Sequence, residues 1–332
     1  DVISFAGGFP TKSTLPTGLI ADITAKLMAS DKAQDILQYG ETEGYRPLRL
    51  SAIEYVKRYG IENIDIDNTL IISGGQQGID LTFKTFVNKG DVVLVEDPTY
   101  LASLHILKTY EGVSVGVKSG ENGLDIADLE TKIAQYNPKV LYVVPTFSNP
   151  TGRTYSIENR KAIAEITAKY NVMVLEDDPY SELRFSGQRV PSIKSFDKVG
   201  NVTYMTSFSK TLAPGLRTGI AIGAKEVIRK MTIGKQATDV HTSSLSQAII
   251  DYFLRNNSMD DRLEELKVVY LEKKTAMLDA IKKYMPKEFK YTNPDGGLFI
   301  FGEFDESLGI NTLEVFPDLV KKYKVAYVSG HS

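Results

Sequence analysis

The chain has 332 residues, 42% of them hydrophobic and 24% charged, which suits a soluble globular protein with a sizeable core. Its formal net charge of -3 argues against a nucleic-acid surface spread over the whole chain, and with no cysteine there is no disulfide and no thiolate metal site. No apolar run approaches the roughly 20 residues that span a bilayer, and no signal peptide opens the chain, so a cytoplasmic protein with neither membrane nor nucleic acid as a partner is expected.

The chain opens at Asp1, without a methionine, on strand-like Val2-Ile3-Ser4-Phe5, and stops at Ser329-Gly330-His331-Ser332 just after strand-like Val325 to Val328. Both ends read as cut. Between about residues 70 and 225, short β-branched runs alternate with helix-like segments. The runs are Leu70 to Ser73, Val92 to Glu96, Val113 to Val117, Val140 to Pro145, Val172 to Asp177, Val202 to Ser207 and Thr218 to Gly223. Near-continuous apolar runs of this kind are strands buried on both faces. Helices are expected from Gln77 to about Val87, from near Asp125 to before Pro138, and from Ser156 to about Tyr170. Asp125 and Asp128 have the spacing of a capping box. The alternation predicts an α/β fold: a mostly parallel seven-stranded sheet with helices on both faces. From Leu245 to about Met285 a long helical stretch is broken at Asn256-Asn257, and two or three strands with a helix between them follow. That predicts a second, smaller α+β domain. The division expected is an N-terminal segment over 1–38 that joins the small domain, a large domain over 39–244, and a small, truncated domain over 245–332.

In such sheets ligands gather at the carboxyl ends of the strands. Ser73-Gly74-Gly75-Gln76-Gln77-Gly78 joins a strand to a helix there, and glycines at a helix N-terminus make an anion cradle. Alone, the same residues make a plain tight turn. Tyr100, after Glu96-Asp97-Pro98-Thr99, could lay its ring on a flat heterocycle or be an ordinary core aromatic. Asn149-Pro150-Thr151-Gly152 is turn chemistry in its own right, or a place from which the Asn149 amide donates to a ring oxygen. Glu176-Asp177-Asp178 puts adjacent carboxylates at a buried strand end, where they repel and need a reason.

Lys210 supplies the reason. It lies in Ser207-Phe208-Ser209-Lys210, at the end of a buried strand, where a lysine is costly unless its charge is lost or matched. Binding an aldehyde as a Schiff base loses the charge, and pyridoxal phosphate is the aldehyde that enzymes hold this way. Ser207, Ser209 and the planar fork of Arg217 suit its phosphate. One acid of the triplet, Asp177, would stay ionised against its protonated pyridine nitrogen. Glu176 and Asp178 are expected to face solvent or another partner.

Asn149-Pro150-Thr151-Gly152, Asp177-x-x-Tyr180, Ser207-x-Ser209-Lys210 and Arg217, in this order, resemble the signature of the class I/II aminotransferases, pyridoxal-phosphate enzymes of fold type I related to aspartate aminotransferase. The resemblance covers nearly the whole chain. The opening Ile3 to Pro10 looks like the subgroup acting on aromatic amino acids, 2-aminoadipate and kynurenine. What it implies is transamination from such an amino acid to a 2-oxo acid, 2-oxoglutarate in the first instance, by a ping-pong cycle. Lys210 would form the Schiff base and shift protons. Asp177 would pair with the pyridine nitrogen, Tyr180 and Asn149 would bond the ring oxygen, and Tyr100 would stack. The phosphate would sit on Ser207, Ser209, Arg217 and the N–H groups of Gly75 and Gln76. The resemblance also places Gly8 and Phe299 beside the substrate and sends Tyr39 into the neighbouring site of a homodimer.

Two departures stand out. Gly75 stands where relatives often have a hydroxyl residue, and no residue after Arg262 matches the family's substrate-carboxylate arginine, so either that arginine is expected beyond Ser332 or substrate recognition is altered. The same fold also serves β-lyases, decarboxylases and racemases, and effector domains of transcription regulators. The histidines His105, His241 and His331 fit no metal spacing, so no metal is expected.

Overall fold

The computed structural model describes residues 2–330; Asp1, His331 and Ser332 of the sequence reading lie outside the described residues. The strands in chain order are β1 (Ile3–Ser4), β2 (Thr69–Ile72), β3 (Val92–Asp97), β4 (Val113–Gly120), β5 (Gly123–Leu124) and β6 (Val140–Val143). They continue with β7 (Met173–Asp177), β8 (Val202–Ser207), β9 (Gly219–Ile222), β10 (Phe289–Tyr291), β11 (Gly302–Phe304) and β12 (Val325–Ala326).

The main sheet runs in the order β2-β9-β8-β7-β6-β3-β4-β5. Strands β3, β4, β6, β7 and β8 pair in parallel, and β9 runs antiparallel to both its neighbours. All seven expected strands are present. The sheet has eight because the chain after β4 turns back in a two-residue strand, Gly123–Leu124, paired antiparallel at the edge. A strand that short shows no periodicity to read.

Continuous burial along these strands has a simple cause: alternate side chains enter different cores. Leu94, Leu141, Val143 and Val174 meet Leu129, Ile133 and Ile163 of helices Ile126–Tyr136 and Ile157–Lys169. Val93, Val95, Tyr142 and Leu175 meet Ile79, Phe83, Leu107 and Met231 of helices Gly75–Phe86, Leu101–Thr109 and Lys225–Asp239. A third core gathers Leu48, Ala52, Ile250, Phe253 and Leu266 around Ile71, Tyr204 and Ile220. It packs helices Arg46–Val56, Ser244–Asn256 and Met259–Tyr284 against the β2 end of the sheet.

Helix ends follow local chemistry. Ser156 and Ser258 cap their helices by accepting the N–H of Asn159 and Asp261. Asp125 accepts the N–H groups of Ala127 and Asp128, but the expected reciprocal box is not made. The Asp128 carboxylate turns instead to the N–H of Lys118 at 2.8 Å and to Lys132 Nζ at 2.7 Å. Past the long helix, β10 and β11 form an antiparallel pair, and β12 pairs in parallel with β1, so the first strand of the chain joins its last segment. No helix among the described residues is long and apolar enough to cross a membrane.

Candidate active site

Strands β2, β3, β6, β7 and β8 all end at one edge of the sheet, and the loops leaving them surround a cleft of about 210 Å³. Because β9 is antiparallel, it begins at that same edge and delivers Arg217 there. Gly75, Gln76 and Tyr100 line one part of the cleft. Asn149, Asp177, Tyr180, Ser207, Ser209 and Lys210 line the rest with Arg217.

Asp177 is the carboxylate of the triplet that enters the cleft. Its side chain alternates with those of Glu176 and Asp178, as strand geometry requires. Glu176, fully buried, accepts the backbone N–H groups of Ile193 and Lys194 at 2.8 and 2.9 Å, and lies 3.8 Å from Arg160 Nη1. Asp178, also buried, accepts the Tyr204 hydroxyl at 3.1 Å. Neither faces solvent; each has another partner. Asp177 Oδ2 accepts the Tyr142 hydroxyl at 2.9 Å. Burial pushes the Asp177 carboxyl up to about 7; the Tyr142 hydrogen bond and Lys210 oppose the rise, and Asp178 adds to it. A buried carboxylate in this state gains from a cation brought into the cleft.

Lys210 Nζ donates to the Gly8 carbonyl at 2.8 Å and lies 5.9 Å from the centre of the Tyr180 ring. Burial pushes its ammonium pKa down, the Arg217 charge pushes it further, and Asp177 opposes both. A lysine so placed is nearer its neutral, nucleophilic form. Burial raises the Tyr180 hydroxyl pKa, and the adjacent Asn149 amide opposes that rise.

Helix Gly75–Phe86 points its N-terminus into the cleft, where first-turn N–H groups have no partner within the helix. Gly74 has φ 88°, and a Cβ there would come within 2.6 Å of Arg217 Nη2, which crosses the turn to the Ser73 carbonyl at 3.0 Å. Only glycine allows that approach. A Cβ on Gly75 would stand 3.6 Å from Asp177 Oδ1, in the gap between turn and carboxylate. Buried Ser207 donates to Ser209 Oγ at 2.9 Å, so both hydroxyls are gathered at the end of β8. The Asn149 loop is fixed from behind: Glu96 accepts the Ser148 hydroxyl at 3.0 Å and the Tyr155 hydroxyl.

Gly8 and Phe299 lie together beside the cleft. A Cβ on Gly8 would meet Phe299 Cζ at 2.6 Å, and the Phe299 ring stands edge-on to Tyr180 at 5.4 Å. Tyr39 stands apart, 82% exposed and edge-on to His241. Sequence reasoning missed Tyr142, because it sits in the apolar run of β6 and reads there as core. Phe9, which the sequence associates with Tyr39 and Phe299 as a hint of an aromatic or long-chain donor, lines the cleft together with Pro10. Among the described residues no group of three or more His, Cys, Asp or Glu side chains is placed to hold a metal.

The donor set is specific in its chemistry. One end of the cleft offers hydroxyls, a guanidinium and helix N–H groups, a set for a dianionic phosphate. The other offers a buried carboxylate matched to a ring cation, with a depressed lysine matched to an aldehyde. Pyridoxal phosphate carries all three groups, and the residues present fit it.

Comparison with known proteins agrees. The family model described as Aminotransferase class I and II matches residues 1–332. Aromatic-amino-acid aminotransferase 1 of Thermococcus litoralis is 38% identical over 338 residues, covering 100% of this chain and 80% of that protein. The 2-aminoadipate transaminase of Thermus thermophilus is 35% identical over 315 residues, covering 94% of this chain and 77% of the relative. The crystal structure of Pyrococcus horikoshii kynurenine aminotransferase, a complex with PMP, superposes with a TM-score of 0.94 at 39% identity, covering 99% of this chain and 82% of that one. The chain belongs to the class I and II aminotransferases, in the group that holds the aromatic, kynurenine and 2-aminoadipate enzymes.

Proposed function

We propose that this aminotransferase uses pyridoxal phosphate on Lys210 to move the amino group of an aromatic or 2-aminoadipate-like amino acid to a 2-oxo acid, 2-oxoglutarate in the first instance. The observation that carries the reading is the pairing in one cleft of a depressed lysine, Lys210, with a buried carboxylate that lacks a full countercharge, Asp177. When bound, the cofactor supplies an electron sink for the bond broken at the substrate's Cα.

The chain's own residues do the rest. Ser207, Ser209, Arg217 and the N–H groups of Gly75 and Gln76 would hold the phosphate. Asp177 would keep the proton on the pyridine nitrogen, and the Tyr142 hydrogen bond favours the ionised form of Asp177 and holds it in place. Tyr100 would cover one face of the ring, and Tyr180 and Asn149 would orient it through its ring oxygen. Lys210 Nζ would take the proton from the substrate's Cα and deliver it to the carbon that was the cofactor's aldehyde, across the substrate nitrogen. Proton transfer by a positioned side chain typically contributes about 10²–10⁴-fold. One cleft serves both half-reactions, so the first 2-oxo acid leaves before the second enters.

Phe9 and Phe299 put apolar surface beside Lys210, which suits an aromatic or long-chain donor. In this reading residues 39–244 are the cofactor-binding body, and residues 1–38 with 245–332 cover the substrate; the pairing of β1 with β12 supports that grouping. Exposed Leu37 and Tyr39 support a homodimer in which Tyr39 reaches the neighbouring site. The test is a single-donor experiment: cofactor-loaded protein given one amino acid and no acceptor should release about one 2-oxo acid per site and then stop. Continued turnover without an acceptor would point to a lyase or decarboxylase instead.

A further inference from the structure

Lys235, in helix Lys225–Asp239, has a side chain with 0% exposure. A buried ammonium is costly unless it is paired and hydrogen-bonded. Here Nζ donates to both carboxylate oxygens of Asp239 at 2.9 Å and to Gln77 Oε1 at 2.7 Å. Both partners go on to Ser73. Gln77 Oε1 also accepts the Ser73 N–H at 2.7 Å, and Gln77 Nε2 donates to Asp239 Oδ2 at 2.7 Å. The Ser73 hydroxyl donates to the same oxygen at 2.9 Å and lies 3.0 Å from Thr242 Oγ1. With Arg217 on its carbonyl, Ser73 is held at its N–H, its hydroxyl and its C=O. Ser73 is the residue from which the Gly74-Gly75-Gln76 turn departs.

The backbone after Asp239 is a second, independent observation. Val240 has φ 65° and ψ -59°, and the N–H of His241 donates to the Asp239 carbonyl at 2.7 Å. That is the rare form of the γ-turn, and a β-branched residue in it is strained. The Val240 side chain is 47% exposed, so its own packing does not account for the strain. What the turn achieves is to bring Asp239 and Thr242 onto Ser73 together.

We propose that Lys235, Asp239 and Gln77 are positioning residues that preset the Ser73–Gln76 turn for a phosphate, with Lys235 cancelling the Asp239 charge behind the cradle. The inference rests on the reading of this cleft as the cofactor site. Without Lys235, an uncompensated carboxylate at the base of the turn would oppose the incoming dianion.

The experiment compares pyridoxal phosphate with pyridoxal, which has the same ring and aldehyde but no phosphate, by absorbance titration of the cofactor-free protein. Both engage Lys210, and only the first uses the cradle. K235M should raise the Kd for pyridoxal phosphate about tenfold or more and leave that for pyridoxal within about twofold. S73A removes only the hydroxyl that Asp239 and Thr242 hold, and should shift the same ratio about threefold or more; it serves if K235M does not fold. K235M/D239N, which removes both charges, should recover part of the loss. Variants that keep the wild-type preference for pyridoxal phosphate, or that weaken both ligands equally, would overturn this inference alone. A wild-type protein with no preference between the two ligands would overturn the cofactor reading as well.

Discussion

Asp177→Asn should make the cofactor-free protein more stable and the loaded enzyme much slower. In the folded chain burial pushes the Asp177 carboxyl from 3.8 to about 7. That is about three powers of ten in proton affinity, worth about 4 kcal/mol when the group is ionised. Relaxation of the interior reduces the figure, so about 2–4 kcal/mol is the expected range. A carboxyl whose folded pKa is raised favours folding relative to its ionised state only at low pH. The penalty is absent below about pH 4, grows between about 4 and 7, and is complete above 7. Asparagine has the same shape and no such penalty. Urea unfolding of the cofactor-free proteins should therefore show D177N ahead by about 2–4 kcal/mol at pH 8 and by about 1 kcal/mol or less at pH 4.5. With cofactor and a single donor, rapid mixing should show the half-reaction slowed by about 10²–10³, because nothing then holds the proton on the pyridine nitrogen. An apo D177N that is less stable at pH 8, or whose advantage does not change with pH, would refute the claim that Asp177 sits strained without its cation. An unchanged half-reaction would refute its role.

Three further substitutions probe other parts of the site. Tyr142→Phe removes the hydrogen bond on Asp177 Oδ2, so the carboxyl should rise further; the half-reaction should slow about tenfold and its acidic limb should move to higher pH. Gly8→Ala places a Cβ 2.6 Å from Phe299 Cζ, against a ring already packed on Tyr180, and should raise KM for an aromatic donor about tenfold without changing cofactor affinity. Arg262 donates to the carbonyl of Thr211, beside Lys210, at 3.1 Å and to the carbonyl of Thr14, tying the N-terminal segment to the lysine. Arg262→Met should raise donor KM by about tenfold or more while the Kd for pyridoxal phosphate holds. Steady-state kinetics beside a cofactor titration decide both KM claims.

The strands were legible because their β-branched runs are long enough to show burial on both faces. Gly123–Leu124 was not, because two residues of turn-like composition carry no such pattern. Asp125 was readable as a cap, but the fate of Asp128 was not, since Lys118 and Lys132 approach it from outside the helix start. In the cleft, Lys210, Asp177 and Asn149 announced themselves by being polar where strands end. Tyr142 did not: a tyrosine inside an apolar run reads as core until its hydroxyl is seen on Asp177. Glu176 and Asp178 could be assigned no partner from sequence, because Arg160, Tyr204 and the N–H groups of Ile193 and Lys194 come from other segments. Lys235 was invisible for the same reason. One lysine in an amphipathic helix looks like any surface lysine until Gln77 and Asp239 close around it.

The most direct test of the central claim is the visible absorbance of the protein loaded with pyridoxal phosphate, read as single amino acids are added without an acceptor, for wild type and K210A side by side. Wild type should hold a yellow cofactor band that an aromatic amino acid or 2-aminoadipate bleaches, with release of the matching 2-oxo acid, and K210A should release none. A wild-type protein that takes up no cofactor with Lys210 intact, or whose band no amino acid disturbs, would contradict the account.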